Sequence, residues 1–215
     1  MDSALELLIN TGKLKRIKQK KWIIRGIKDS ESVAQHTFRT SIMSWILAEK
    51  TKKLDIKKII QIALIHDLCD LEGCHESLCD LAIAKNPNKI KFWEKKKNLG
   101  KFPRISKEER LKWFLKKGDK ERKCITKLIK DLPKGMREEL ASLWIDFTEG
   151  LTQEGRFVKQ VAKTEALLQA MEYNRDHKKF PINLWWVEIR EAVDNPVLVE
   201  LLKEIDKRFD KGKKQ

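Results

Sequence analysis

Few residues interrupt the helical pattern of this sequence, which holds only nine glycines and five prolines among 215 residues. Between them, apolar residues recur every three or four positions instead of every second position. This spacing matches the turn of an α-helix, whereas strict alternation would indicate β-strands. We therefore expect an all-α fold, a compact single-domain bundle of helices. No linker divides the chain, so the expected domain spans residues 1–215, with its core over about 5–205 and a basic tail at 206–215.

Capping residues indicate where two central helices begin. Ser32 and Gln35 have the spacing of a capping box, which predicts a helix from 33 to about 50. Asp55 can cap the next helix, which contains a long apolar run and ends near Gly73. Apolar periodicity predicts further helices at 3–18, 106–131, 134–149, 153–178 and 195–210.

The helix predicted from 33 to about 50 is amphipathic, and such a helix typically turns its apolar stripe toward the core. The stripe comprises Val33, Thr37, Phe38, Ser41, Ile42, Trp45 and Ile46. Three other segments lack a clear helical period. We interpret 22–27 as a buried loop, 74–105 as a long connection, and 178–186 as a segment that packs its two tryptophans between the last two helices.

The net charge of +15 results from 47 basic and 32 acidic residues. Most of the excess lies in the segments 13–21, 89–101 and 206–215. A lysine-rich solvated surface is the simplest explanation, and attraction of a phosphorylated small molecule or of nucleic acid is the alternative. Nucleic acid remains possible but is not favoured, because the sequence contains no recognised nucleic-acid-binding motif.

The sequence also bears on the compartment. No apolar run approaches the roughly 20 residues of a membrane helix, and the first ten residues lack the order of a signal peptide. Three of the four cysteines lie at five-residue intervals, unlike a secreted disulfide framework or the CxxC spacing of a zinc site. We expect reduced thiols in a cytoplasmic protein with no membrane partner.

The pair His66 and Asp67 follows the apolar run of its helix. Burying both side chains is costly unless each has a partner, and one divalent cation would supply a partner to both. For an isolated pair, a core histidine beside a surface aspartate is the commoner explanation. His36 favours a metal site. It lies in the first turn of a different helix, and helical proteins commonly build metal centres with ligands from separate helices.

These residues stand within three longer segments, 14–39, 63–70 and 155–173. Their order resembles the HD-domain metal-dependent phosphohydrolases, specifically the branch that is similar to 5'-deoxynucleotidases. The resemblance implies an all-helical protein of the HD-domain type, usually a homodimer, that removes phosphate from a small nucleotide, a deoxynucleoside 5'-monophosphate. It also implies a divalent metal ion, which could be Co, Mn, Mg, Zn or Ni.

Carried over by position, the resemblance implies that His36, His66 and Asp67 bind the metal. Asp70 takes the place of an acid, usually Glu, that handles the proton of the attacking water, and His75 takes the place of a nearby Asp. Asp70 and His75 are therefore the candidate catalytic residues.

The resemblance also implies substrate-binding residues near the first segment. Lys21 and Trp22 match the positions of a basic phosphate contact and of an aromatic ring beside the sugar. Arg25 matches a further basic position, which in the family contacts either the substrate or only the protein.

One position departs from the family at the metal itself, because Ala162 replaces the aspartate that would be the last ligand. His75 or Glu165 could complete the coordination, and Glu165 lies one helical turn beyond Ala162. Alternatively, the protein is a catalytically silent module that binds a nucleotide or nucleic acid, or Ala162 is a substitution introduced to trap a substrate.

Overall fold

The computed structural model describes residues 2–51, 53–73, 78–93, 95, 98, 101, 103, 105–176, 180 and 182–210. The α-helices within them are α1 (Asp2–Lys13), α2 (Lys20–Ile23), α3 (Val33–Glu49), α4 (Ile56–Ile65), α5 (Leu78–Lys85), α6 (Ile90–Trp93), α7 (Lys107–Ile129), α8 (Lys134–Glu149), α9 (Gln153–Asp176), α10 (Asn183–Ala192) and α11 (Pro196–Asp210). In this part of the chain no strand forms, which confirms the all-α prediction; Lys18 and Ser32 make an isolated antiparallel bridge. No helix among these residues is both long and apolar enough to cross a bilayer.

Helix α9 lies at the centre of the bundle, where it packs against α3, α4, α8, α10 and α11. Its side chains Val158, Val161, Leu167 and Ala170 are completely buried. Helices α3 and α4 pack along each other as well as against α9, so the three helices that carry the candidate site residues share one core. The expectation of a single domain over residues 1–215 stays a prediction.

The predicted caps of α3 and α4 are confirmed. Ser32 and Gln35 form a reciprocal capping box at the start of α3, and the Asp55 side chain accepts a hydrogen bond from the Lys58 amide. Helix α4 nevertheless ends at Ile65, earlier than predicted. The chain tightens there into a 3₁₀ turn, Leu68–Glu72, which ends at a left-handed Gly73. Asp67 therefore leaves helical geometry, with φ −106° and ψ 16°.

Short helices occupy the segments that were expected to lack them. The prediction of a loop at 22–27 is wrong for residues 22–23, which belong to α2, and α5, α6 and α10 lie within or overlap the other two segments. Helices of one or two turns are too short for a periodic signal and depend on packing for stability. Buried tryptophans provide that packing at Trp22 of α2, Trp93 of α6 and Trp185 of α10.

Helix α3 buries only part of the stripe identified in its sequence. Its larger apolar side chains, Phe38, Ile42, Trp45 and Ile46, have exposed fractions of 69%, 38%, 48% and 55%. The buried face instead contains Val33, His36, Thr40, Ser41, Ser44, Leu47 and Ala48. Small side chains allow helices to approach closely, which suits the packing of α3 on α4 and α9. We refer to the four exposed residues as the α3 apolar stripe.

The corner between α8 and α9 is held by the buried carboxylate of Asp146. It accepts hydrogen bonds from the Thr152 amide at 2.8 Å and the Thr152 hydroxyl at 2.6 Å, and it pairs with the Lys58 ammonium of α4 at 2.6 Å. Burial raises the pKa of Asp146, but Lys58 and Thr152 outweigh this effect and lower it overall. Gly155 packs so closely that an added Cβ would overlap both the side chain and the carbonyl oxygen of Asp146.

A matched pair of glycine substitutions tests this corner. Gly155→Ala should lower the free energy of unfolding by about 1–3 kcal/mol, because the backbone of α8 cannot yield to the new methyl group. Gly118→Ala in α7 adds the same methyl group where no atom lies within 4 Å, and it should raise stability by about 0.5–1 kcal/mol through helix propensity. Urea unfolding measures both. Equal midpoints for the two variants would contradict the packing described.

Candidate metal centre

His36 of α3 meets His66 and Asp67 at the end of α4. Their exposed fractions are 2%, 5% and 7%. Asp67 Oδ2 lies 3.2 Å from His66 Nε2 and 3.7 Å from His36 Nε2. One donor atom from each residue lies within 4.8 Å of the other two. The structure thus brings together the three residues that the sequence proposed as metal ligands.

The orientation of His66 leaves one ring nitrogen for this cluster. Nδ1 lies 2.7 Å from the Ala63 carbonyl oxygen, which can only accept, so Nδ1 carries the proton. Nε2 is buried and makes no well-formed hydrogen bond within the described residues. Burial lowers the pKa of His66, but the Asp67 carboxylate outweighs it and raises the pKa overall. A basic nitrogen that faces a carboxylate in this way is suited to share a cation with it.

His36 is oriented by a carboxylate behind it. Its Nδ1 is hydrogen-bonded to Glu165 Oε2 of α9, on the opposite side of the ring from the nitrogen that faces Asp67. Burial lowers the pKa of His36, although Glu165 opposes this effect. Burial alone would raise the pKa of Glu165, but His36 and Arg39 lower it overall. A neutral imidazole that donates to an ionised carboxylate is the arrangement that commonly orients a metal-binding histidine.

Arg39 holds the Glu165 carboxylate in place, and the sequence did not lead us to it. Its Nε donates to Glu165 Oε1 at 2.7 Å, and its other nitrogens bond both oxygens of Glu172 at 2.9 and 2.8 Å and Gln169 Oε1 at 2.5 Å. The available signal was the recurrence of Glu165, Gln169 and Glu172 on one face of α9, at helical spacing. Because His36 and Arg39 each occupy one oxygen of Glu165, we assign this residue to positioning rather than to coordination.

Glu31, His36 and Glu165 also offer donor atoms within 4.8 Å of one another. This second group is less suited to a cation, because the positive charges of Lys21 and Arg39 already act on both carboxylates. Burial raises the pKa of Glu31 to about 7, and the nearby Glu165 adds to that effect. Glu31 was not predicted from the sequence.

Lys21 and Trp22 lie beside Glu31, mostly inside the protein. Lys21 is 7% exposed, and its ammonium lies 5.3 Å from the centre of the Trp22 ring. Trp22 is fully buried, donates to Glu31 Oε1 at 2.8 Å and stacks on Trp185 with ring centres 4.9 Å apart. The positive charge of Lys21 acts on His36, so it lies near the candidate centre. The expected contacts of both residues with substrate stay predictions.

Arg25 contacts other residues of the protein through both hydrogen bonds and its guanidinium face. Its NH1 donates to Asp80 Oδ1 of α5 at 2.6 Å and to the Lys21 carbonyl at 2.7 Å, and its guanidinium lies 4.9 Å from the centre of the Trp185 ring. These contacts connect α2 to α5 and α10. A contact between Arg25 and substrate stays a prediction, whereas its structural role is visible.

The two candidate catalytic residues differ in what the structure records. Asp70 is buried in the 3₁₀ turn four residues after His66, and its charge contributes to the raised pKa of His66. His75 lies outside the described residues. Cys69, between Asp67 and Asp70, is buried and donates to the Glu121 carbonyl of α7 at 3.3 Å, in the core rather than in the metal cluster.

Ala162 lies three residues before Glu165, on the same side of α9, and is 9% exposed. It presents a methyl group where the family pattern has a carboxylate. The described residues nevertheless fit a divalent transition metal, because two imidazole nitrogens and one carboxylate oxygen are ligands that such ions accept. Catalytic zinc sites likewise use three protein ligands. The remaining positions of such an ion would be open to water or substrate.

Comparisons with known proteins identify the family of this chain. The model of the HD domain family matches residues 11–74 and 113–205. Human 5'-deoxynucleotidase HDDC2 is 27% identical over 205 residues, which cover 95% of this chain and 85% of that protein. The Xenopus laevis protein of the same name is 29% identical, over 82% of this chain and 72% of its own.

Solved structures share the fold. A conserved hypothetical protein from Pyrococcus furiosus superposes with a TM-score of 0.64 and 26% identity, over 94% of this chain and 99% of its own. A predicted metal-dependent phosphohydrolase from Magnetospirillum magnetotacticum has a TM-score of 0.59 over 97% of this chain and 88% of its own, and at 19% identity it supports the fold alone. Since the family model spans most of the chain and includes His36, His66 and Asp67, this protein belongs to the HD domain family.

Proposed function

We propose that this protein is a metal-dependent phosphohydrolase that acts on a small nucleotide, with a deoxynucleoside 5'-monophosphate as the expected substrate. The observation that carries the proposal is the convergence of His36, His66 and Asp67, whose donor atoms lie within 4.8 Å of one another in a buried site. The names of the relatives from human and Xenopus laevis support the substrate class.

The proposed roles follow from the charges around the cluster. A divalent ion held there supplies a Lewis acid that polarises the phosphoryl oxygens and makes a bound water more acidic. Asp70 would accept the proton of the attacking water, since it is a buried carboxylate four residues after His66 and its charge acts on that imidazole. Lys21 would place a positive charge against the phosphate. Glu165 would keep the Nε2 atom of His36 directed at the site.

Ala162 favours a second candidate, a silent module that binds a nucleotide without hydrolysing it. Three ligands hold an ion less tightly than four, so metal occupancy could be too low for turnover. The two candidates differ in one measurable respect, because the silent module binds nucleotide in saturable fashion and releases no phosphate.

We expect the wild-type chain to release phosphate from deoxynucleoside monophosphates in the presence of Co²⁺, Mn²⁺ or Mg²⁺. Ala162→Asp should reach half of its maximal rate at a lower metal concentration, because it restores a carboxylate on the side of α9 that faces the site. A panel of nucleoside and deoxynucleoside monophosphates, assayed for inorganic phosphate, measures both effects.

Three outcomes of that assay decide between the candidates. Release by the wild-type chain that is lost in His66→Ala and in Asp67→Asn supports the phosphohydrolase. Release that survives both substitutions would contradict the phosphohydrolase assignment. Saturable nucleotide binding with no release by either the wild-type chain or Ala162→Asp would select the silent module.

Glu165→Gln should weaken metal binding by roughly 10–100-fold, the range typical of partners that orient a ligating histidine. Glu172→Gln is the matched control, because it removes a partner of Arg39 and leaves the hydrogen bond to His36 in place. Isothermal titration with Co²⁺ measures the affinity, and circular dichroism verifies the fold of each variant. Equal losses of affinity in the two variants would show that Glu165 acts only through the ion pair with Arg39.

A further inference from the structure

The first half of α7 carries large apolar side chains on the surface of the protein. Leu111, Phe114 and Leu115 are 58%, 51% and 58% exposed, whereas Ile125 and Ile129 in the second half of the helix are buried. Phe114 precedes Ile125 by 11 residues, which is about three turns of the helix, so both lie on one face. Leu111 precedes Ile129 by 18 residues, or about five turns, with the same result. The apolar face of α7 therefore continues beyond the core that covers its second half.

Basic side chains line both edges of this apolar face. Arg110 and Lys112 are exposed and lie on opposite sides of Leu111, each about 100° around the helix. Lys116 is also exposed and stands in the same relation to Leu115. The first 17 residues of α7 hold eight basic and four acidic side chains, so the surroundings of the apolar face carry a net positive charge.

We refer to six exposed residues of α7 as the α7 surface, namely Arg110, Leu111, Lys112, Phe114, Leu115 and Lys116. We propose that the α7 surface binds the surface of a lipid bilayer that contains anionic phospholipids. A helix that lies in a membrane interface has this composition, with leucine and phenylalanine on one face and lysine and arginine beside them. The aliphatic stems of the lysines would lie along the apolar boundary while their ammonium groups reach the phosphates. The proposal does not depend on the phosphohydrolase activity.

The expectation of no membrane partner rests on the lack of a long apolar run in the sequence. A helix that lies in the interface needs no such run, because only one of its faces enters the lipid. The α7 surface also adjoins residues 75–112, which the HD domain model does not match. It therefore lies where this chain departs from its family.

The apolar residues favour a membrane over nucleic acid. Contacts with phosphates need only lysine and arginine, and contacts with unpaired bases use aromatic rings. Neither requirement explains the two exposed leucines, Leu111 and Leu115. Trp113, an aromatic residue of the same half of α7, is half-buried, and the Lys117 ammonium lies 5.1 Å from the centre of its ring. That ring is therefore a poor platform for a base.

The α3 apolar stripe is a different kind of surface. Arg39 is the only lysine or arginine of α3, and it is paired with Glu165 and Glu172. An anionic bilayer would gain little electrostatic attraction there, since that attraction comes from lysine and arginine near the lipid surface. The α7 surface combines apolar and basic side chains and is better suited to anionic lipid.

Helix α1 provides matched control positions. Leu8 is 66% exposed, so it resembles Leu115 in exposure. Helix α1 contains two acidic residues and one basic residue, Lys13, so its surroundings lack the positive charge of α7.

Co-sedimentation of the full chain with vesicles tests the proposal. The chain should bind vesicles of phosphatidylcholine mixed with phosphatidylglycerol, and it should bind vesicles of phosphatidylcholine alone at least about tenfold more weakly. Binding to the anionic vesicles should weaken as ionic strength rises, because salt screens the attraction. Leu115→Ser should weaken it about tenfold or more, since a leucine that enters the lipid is lost. Leu8→Ser makes the same change on α1 and should leave the affinity unchanged.

A second pair of variants measures the contribution of charge. Lys116→Gln should weaken binding to the anionic vesicles about fivefold, as expected for one lysine close to an anionic bilayer. Lys13→Gln removes the same charge from α1 and should change the affinity less than about twofold. Equal effects of the two substitutions would overturn the proposal, because they would show attraction by net charge alone.

Circular dichroism verifies that each variant folds, which is expected because the substituted side chains are exposed. A wild-type chain that does not bind the anionic vesicles overturns the proposal, and so does an affinity that Leu115→Ser leaves unchanged. Nucleic acid is the other occupant that the assay can detect. A chain that ignores vesicles but binds a duplex DNA oligonucleotide equally well before and after Leu115→Ser would overturn the membrane proposal in favour of nucleic acid.

Discussion

A buried carboxylate organises this protein. Glu165 is fully buried and would be costly to ionise in the core if it stood alone. It is stabilised from two directions on α3, by His36 on one oxygen and by Arg39 on the other. That pair of contacts ties the central helix α9 to α3, fixes the tautomer of His36 and directs its second nitrogen toward α4. The candidate metal centre depends on this interaction, because without it His36 could turn away from His66 and Asp67.

The same interaction explains why Ala162 need not disrupt the site. Glu165 of α9 orients His36. The carboxylate that the family pattern has for coordination belongs to another position of α9, which is Ala162 in this chain. The cluster of His36, His66 and Asp67 is therefore assembled by the fold before any ion binds, with each histidine oriented by a partner on its far nitrogen. The donors of His36, His66 and Asp67 therefore converge despite the methyl group at Ala162.

Much of the fold and the donor set could be predicted from the sequence, because both rest on local signals. Neighbouring residues are enough to identify the caps at Ser32 and Asp55 and the apolar run before His66. The resemblance to the HD-domain proteins then connected the distant segments. Arg39 and Glu31 were missed, since their importance arises from contacts with α9 and Trp22 across the core. The short helices around buried tryptophans were not predicted, because their stability comes from packing.

Helix α3 shows a further limit of sequence reasoning. Its periodicity correctly indicates a helix with an apolar face, but periodicity alone does not say which face the core takes. Helix α3 instead turns small and polar side chains toward α4 and α9, where His36 and Arg39 must reach Glu165. The requirements of the site therefore decide the rotation of α3, and the larger apolar side chains come to the surface.

The most direct test of the candidate metal centre is the position of a bound ion in crystals grown or soaked with Co²⁺, located by anomalous scattering. The expected result is one ion bound to Nε2 of His36, Nε2 of His66 and a carboxylate oxygen of Asp67, at about 2.0–2.2 Å, with the Glu165 carboxylate still on Nδ1 of His36. An ion bound directly by Glu165, or one that leaves His36 and His66 without contact, would contradict it.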